Sequence, residues 1–276
     1  MFQKKLVSLE DNSLLIILIV FALLSVVSFP FATLIFSLNL PVEYFLYMFL
    51  CAIFAVSSNT LLVKALSYSD LSLLGPINSY KPIVGMISSI FLLGEIPSFL
   101  GLTGIVLILS GSYFIVDRNP ATNNRRILDA FVKDKGIQLR FTALILSGVE
   151  AAFLKKSLTY STPIITMIVW SLLGFIISGI ASLFIVDFQN QNIFVKVWDK
   201  KKLYFLLFIS TAVMQLTTLL IFENMQVGYA LALFQISSLI SVILGYKYFK
   251  EKNIRNRIIG SLLMIGGSVI IILFNT

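Results

Sequence analysis

The chain has 276 residues, of which 58% are apolar and 12% are charged, and its formal net charge is +8. Charged residues make up about 25% of ordinary soluble domains, so this composition excludes that class and indicates a protein whose solvent is lipid. One cysteine and no histidine exclude a disulfide framework, a histidine-based metal site and a histidine general base. We therefore expect no metal, no cofactor and no enzymatic chemistry.

Nine apolar stretches follow one another along the chain, and a helix needs about 20 residues to cross a bilayer. The first four cover residues 14–38, 44–63, 71–94 and 99–116. After a polar linker, five more cover residues 141–154, 163–186, 203–222, 227–246 and 258–274. The fifth stretch is short, and its length alone would also fit a re-entrant or interfacial helix. The predicted fold class is an all-α polytopic membrane protein with about nine transmembrane helices.

A polar signature recurs 156 residues later in the chain, which predicts two related halves. The shift pairs three residues with three others: Glu95 with Glu251, Gly104 with Gly260, and Gly111 with Gly267. A shift of 151 also pairs Lys4-Lys5 with Lys155-Lys156. Spans one to four then match spans six to nine. We predict a first repeat at residues 1–117, a linker at 118–140 and a second repeat at 141–276.

The fifth span has no counterpart, so the first repeat is expected to lack its opening helix. Either the natural protein begins at this point, or its start lies further upstream. Matching spans are five apart, an odd number, so each repeated helix would cross the membrane in the direction opposite to its twin. Inverted repeats of this kind, here four plus five helices, are typical of secondary transporters.

Basic residues are distributed as membrane topology requires. Of the 21 lysines and arginines, 18 lie in one alternating set of regions that flank the spans. Under the positive-inside rule, this places the N-terminus in the cytoplasm and the C-terminus outside. Because topology accounts for the positive charge, nucleic acid is not an expected partner. The first apolar stretch is too long for a cleavable signal peptide and should stay in the mature protein.

Both halves resemble the EamA-type members of the drug/metabolite transporter superfamily. In the first half, the resemblance rests on Asn59, Lys64-Ala65-Leu66, Gly75-Pro76, Pro82, Gly94-Glu95, Gly101, Gly104 and Gly111. It implies ten helices in two inverted repeats, a central cavity, and transport of small organic solutes or metabolites. This chain departs from that pattern in showing nine spans, and its basic loops lie where the ten-span arrangement has exterior ones. We expect a multi-pass protein of a bacterial inner membrane.

Lys81 lies near the middle of the third span, directly before Pro82. A charged side chain at that depth costs roughly 2.5 to 3.5 kcal/mol on insertion scales, so it should face the bundle interior or a wet cavity. Pro82 is predicted to kink the helix and free a carbonyl beside the lysine. Lys81 would then hold an anionic group of the substrate or release a proton in a coupled cycle. The alternatives are a structural ion pair with Glu150 and snorkelling to an interface.

Glu150 is the only carboxylate deep within a predicted span. It is a candidate proton or cation site, and a candidate partner for Lys81. Five uncharged groups at similar depth could contact substrate or hydrogen-bond between helices: Asn59, Asn78, Tyr80, Gln215 and Gln235. Asn78 is three residues before Lys81 and so on the same helix face, which makes it the best candidate of these five.

Two further patterns have mainly structural interpretations. Glu95 and Glu251 lie at span ends beside a turn, where capping of the following helix is favoured over gating. Glycines spaced seven apart, Gly104 with Gly111 and Gly260 with Gly267, leave a smooth stripe on each helix for close packing. That packing could lie within one subunit or between subunits, and a homodimer through these helices is one expectation.

The function predicted from these features is a secondary transporter that works by alternating access. Its partners would be a small-molecule substrate and the lipid bilayer. The sequence has no P-loop signature, so energy would come from an ion gradient such as protons, or from exchange, and the family favours export. The alternatives are a channel, for which no ring of filter residues is visible, a structural membrane protein, and a membrane-embedded enzyme.

Overall fold

The computed structural model describes residues 3, 6, 12–37, 39–68, 76–115, 135–186, 198–236 and 254–274. In these ranges the chain forms nine α-helices: α1 Ser13–Ser28, α2 Val42–Tyr68, α3 Lys81–Leu93, α4 Phe99–Ile115, α5 Lys135–Leu158, α6 Pro163–Ile185, α7 Lys201–Asn224, α8 Val227–Leu233 and α9 Ile254–Leu273. Three 3-10 helices, Phe29–Ser37, Pro76–Tyr80 and Phe234–Ile236, adjoin α1, α3 and α8.

Five helical segments in the described ranges are long and apolar enough to cross a membrane: Ser13–Ile35, Val42–Tyr68, Lys135–Leu158, Pro163–Ile185 and Lys201–Asn224. Four further apolar helices are shorter: Lys81–Leu93, Phe99–Gly111, Val227–Ile236 and Leu262–Ile271. The predicted all-α polytopic fold class is confirmed.

The predicted spans and the observed helices differ most at the fifth. Helix α5 begins at Lys135, six residues before the predicted span, and its 24 residues are long enough to cross a membrane. The span was predicted from apolar residues alone, so the polar first turns of α5 fell within the predicted linker. Other predicted features lie outside the described residues: Lys4, Lys5, Gly75, Glu251, most of the linker, and residues 237–246 of the eighth span.

Side-chain caps and one glycine set several helix ends. Asn12 caps α1 by accepting a hydrogen bond from the Leu14 backbone N–H at 2.9 Å. Thr162 accepts the Ile165 N–H at the start of α6, and Pro163 follows where a helix needs no N–H donor. Gly94 ends α3 with a φ of 71°, a left-handed conformation that glycine adopts without steric cost.

The helices group into two compact units. The first unit contains Met1–Tyr68 and Phe153–Asn224, and the second contains Ser69–Ala152 and Met225–Thr276. The boundary falls inside α5, so each unit combines segments from both predicted repeats. The division of the chain into repeats at 1–117 and 141–276 stays a prediction.

In the first unit, α1 packs on α6 through aromatic side chains. The rings of Phe21 and Trp170 lie 4.7 Å apart between centroids. One turn further along α6, Gly174 leaves room for the Phe21 ring, and a Cβ at that position would collide with it. Both rings are buried, so this contact contributes to the apolar core of the unit.

In the second unit, the two glycine stripes face each other. A Cβ placed on Gly104 would lie 2.8 Å from the Gly267 backbone oxygen, and a Cβ on Gly267 would lie 2.6 Å from the Gly104 oxygen. A Cβ on Gly111 would lie 2.5 Å from the Gly260 oxygen. The earlier glycine of α4 contacts the later glycine of α9, and the later one of α4 contacts the earlier one of α9, so the two helices run antiparallel. The stripes therefore pack against each other within the chain, which is one of the two arrangements that the sequence left open.

The start of α8 is held by side chains from the turn between α3 and α4. Glu95 accepts the Val227 backbone N–H at 2.9 Å, so it caps α8, a helix that lies far from it in sequence. Tyr229 is fully buried, and its hydroxyl accepts the Ser98 backbone N–H at 2.8 Å. Gly101 makes room for that hydroxyl, because any Cβ there would overlap it.

Replacing Tyr229 by phenylalanine should lower the free energy of unfolding by about 1 kcal/mol, because the Ser98 N–H loses its acceptor. The melting temperature of the purified protein in detergent would measure this. Tyr68→Phe, at an exposed position of the first unit, is the control. An equal melting temperature for the two variants would contradict the prediction.

Candidate functional site

Charged and polar side chains meet in the second unit around the start of α3. Lys81 is the first residue of α3, is half-buried, and interacts electrostatically with both Glu150 and Arg140 of α5. Arg140 and Glu150 are also half-buried. Two cations and one carboxylate therefore share one region of the second unit.

Glycines allow this region to form, because they bring the helix backbones close together. A Cβ on Gly148 of α5 would lie 2.6 Å from Val84 Cγ1 and 3.2 Å from the Gly85 backbone nitrogen. The contact is one turn beyond Lys81 on α3 and two residues before Glu150 on α5. On α8, a Cβ on Gly228 would lie 2.9 Å from Met86 Cβ. Helix α3 is thus packed closely against both α5 and α8.

Asn78 links three segments of this site. Its side-chain oxygen accepts a hydrogen bond from Arg140 Nη2 at 3.0 Å. Its backbone oxygen accepts one from Gln235 Nε2 at 3.4 Å, and the same Nε2 lies 3.5 Å from the Leu231 backbone oxygen. Gln235 is buried. Hydrogen bonds and electrostatic interactions thus join Asn78, Lys81, Glu150 and Gln235 in one network, which also contains Arg140.

Tyr80 lies beside this network but points outward. Its side chain is exposed, and its ring stacks on Phe141 of α5 with a centroid distance of 6.3 Å and an interplanar angle of 28°. The contact adds a second link between the start of α3 and α5.

Pro82 lies where two kinds of helix join. Pro76–Tyr80 is a 3-10 helix, and the α-helix starts at Lys81, so Pro82 occupies the first turn. A proline there removes no helical hydrogen bond. The structure therefore shows a change of helix type at Lys81 in place of a kink inside a continuous α-helix. Residues 71–75, which begin the predicted span, lie outside the described part.

The remaining two candidates, Asn59 and Gln215, belong to the first unit. Asn59 donates its side-chain N–H to the Ala55 backbone oxygen at 2.9 Å, one turn earlier in α2. Gln215 of α7 is buried, and its Nε2 has no hydrogen-bond acceptor among the residues that the structure describes.

A family model, described as the EamA-like transporter family, matches residues 1–117 and 134–273. The chain belongs to this family. The resemblance drawn from the sequence motifs is thereby confirmed, and the protein is a multi-pass membrane transporter of the drug/metabolite transporter superfamily. EamA family members are transporters rather than enzymes.

One solved structure similar to this EamA-like protein is described only as "Crystal structure of protein". It matches with a TM-score of 0.68 at 13% identity, over 99% of this chain and 93% of that one. At that identity the match supports the fold alone. No curated protein was found to match the sequence.

Arg140 is the member of this candidate site that the sequence interpretation missed, because it was assigned to the end of the polar linker. Counting back from Glu150 in helical steps of three and four residues leads through Ser147 and Leu144 to Arg140. Extending the helical period upstream past the last apolar residue would have placed it on the same side of α5. In the described residues, no group of three or more histidine, cysteine, aspartate or glutamate side chains could hold a metal ion.

Proposed function

We propose that this EamA-like protein is a secondary carrier of small organic solutes or metabolites, which it moves by alternating access. The observation that carries the proposal is the network of Lys81, Arg140, Glu150 and Asn78 inside an apolar helical unit. Ionisable groups are expensive at membrane depth and usually mark substrate or ion pathways. A purely structural protein would gain little from keeping three of them together.

The energy source we propose is a proton gradient or solute exchange, and the direction we propose is export across a bacterial inner membrane. The basic residues that flank the spans support an N-terminus in the cytoplasm. The predicted homodimer through the glycine-striped helices stays a prediction, and the glycine faces it would use are packed against each other within the chain.

Counterflow in proteoliposomes tests the carrier function. Vesicles containing the full chain would be loaded with one solute from a panel of amino acids, organic acids and their amides, and uptake of the same labelled solute followed. A carrier gives saturable uptake that the internal solute accelerates. A channel gives uptake without saturation or acceleration, and a structural protein gives none, so either result would contradict the proposal.

Glu150→Gln should alter the pH dependence of flux, since the substitution removes the carboxylate that interacts with Lys81. The initial rate of counterflow between pH 5 and pH 8 would measure this in the wild type and the variant. We expect the profile of the variant to differ in shape from that of the wild type. Superimposable profiles would indicate a purely structural ion pair.

A further inference from the structure

The charge and hydrogen-bonding pattern of the Lys81 network indicate the chemical class of the solute. In the described residues, the hydrogen bond that the structure gives to Arg140 runs from Nη2 to Asn78, while its Nε–H is buried without an acceptor. A guanidinium carries five N–H donors in a fixed planar fork, which matches a carboxylate in two-point binding. A buried donor without a partner is costly, so this one is a candidate contact for a ligand oxygen.

We propose that the solute binds through a carboxylate group, which Arg140 and Lys81 hold, and for which Glu150 is the competing internal anion. This inference rests on the proposed carrier function and names the solute class of the same site.

The charge balance favours a carboxylate over a phosphate. Lys81 and Arg140 contribute two positive charges, and Glu150 contributes one negative charge. One further negative charge makes the network neutral, whereas a doubly charged phosphate would leave an excess charge at membrane depth, where it is expensive. Phosphate is therefore the second outcome that the experiment must separate.

Glu150 has a defined role in this arrangement. Its position on α5, ten residues beyond Arg140, lets it interact with Lys81 when no solute is bound. A solute carboxylate must compete with that interaction. Removing the Glu150 charge should therefore strengthen the binding of acids, and removing either cation should weaken it.

The test is a binding panel on the detergent-purified full chain, with pairs that differ only in charge: benzoate and benzamide, nicotinate and nicotinamide, and glutamate and glutamine, together with inorganic phosphate. Thermal stabilisation as a function of concentration gives the apparent affinity. For wild type, we expect at least one acid to stabilise the protein and its amide to have no effect. Arg140→Gln should weaken binding of that acid at least about tenfold, and Glu150→Gln should strengthen it severalfold.

Asn78→Asp provides a second variant in case Arg140→Gln does not fold. The new carboxylate would occupy the position that already accepts the Arg140 hydrogen bond, so it should block binding of the acid while the fold is kept. Lys135→Gln is the matched control for charge, because Lys135 is exposed on the same helix. Its affinity for the acid should equal that of wild type.

Four results of the panel would overturn the inference, and a fifth is the absence of any binding acid. These are stabilisation by amides as strong as by acids, unchanged affinity in Arg140→Gln, weaker acid binding in Glu150→Gln, and stabilisation by phosphate alone. Failure of every acid on the panel to bind would also overturn it. Counterflow distinguishes failure of the carboxylate inference from failure of the carrier proposal. Saturable flux of a neutral solute would contradict the carboxylate inference and support the carrier function. Absence of any flux would contradict both proposals.

Discussion

Replacing Lys81 by alanine should abolish solute flux through this protein in proteoliposomes, while the protein still inserts and purifies. Lys81 is the first residue of α3, and its ammonium interacts electrostatically with Glu150 and Arg140 on α5. Removing it takes away one of two cations and leaves Glu150 with a weaker counter-charge. We expect the rate of counterflow to fall by more than about tenfold, because truncating one partner of a charge pair costs roughly 2 to 5 kcal/mol when the pair is fully buried and less when it is half-buried, as here.

Lys135→Ala is the control for this experiment. It removes the same type of charge at an exposed position at the start of α5. Its flux should match that of wild type, and both variants should elute from a sizing column as the wild type does. Retention of wild-type flux in Lys81→Ala would take Lys81 out of the transport site.

The second large effect is expected at the antiparallel contact between α4 and α9. Gly267→Ala should destabilise the protein by about 1 to 3 kcal/mol, since its new Cβ would lie 2.6 Å from the Gly104 backbone oxygen. A backbone atom cannot move away by changing rotamer, so the helices must separate. The melting temperature of the purified protein in detergent, followed by circular dichroism, would show the loss.

The neighbouring residue is a close control. Gly266 lies next to Gly267 on α9, yet a Cβ there meets nothing within 4 Å. Gly266→Ala should leave the melting temperature unchanged or raise it slightly, because alanine is favoured over glycine inside a helix by about 1 kcal/mol. If both variants melted at the same temperature, the close backbone contact would not contribute to stability.

The pairing of these glycines also bears on the internal repeat. The shift of 156 residues relates Gly104 to Gly260 and Gly111 to Gly267. In space, Gly104 meets Gly267 and Gly111 meets Gly260, so exchanging the two repeats maps one contact onto the other. Reciprocal contacts of this kind are expected between two elements that a two-fold axis relates. The two helices are predicted counterparts, and they run in opposite directions, as inverted repeats require.

Much of the architecture could be predicted from local composition. The length and apolarity of the spans follow from the thickness of the bilayer, because every backbone polar group in lipid must be paired inside a helix. Lys81 and Glu150 were identified because ionisable residues are rare in apolar spans. The family resemblance followed from short motifs near span ends.

Other features depend on which helices meet, and a one-dimensional pattern does not contain that information. The contact of Glu95 with α8 is an example: its carboxylate accepts the Val227 N–H, 132 positions away in sequence, which no local pattern indicates. Arg140 was assigned to the linker from its sequence, and it joins the site through its hydrogen bond to Asn78, where Gly148 lets α5 approach α3. Apolar content sets where helices can lie in lipid, whereas close backbone contacts between distant helices decide which polar side chains share a site.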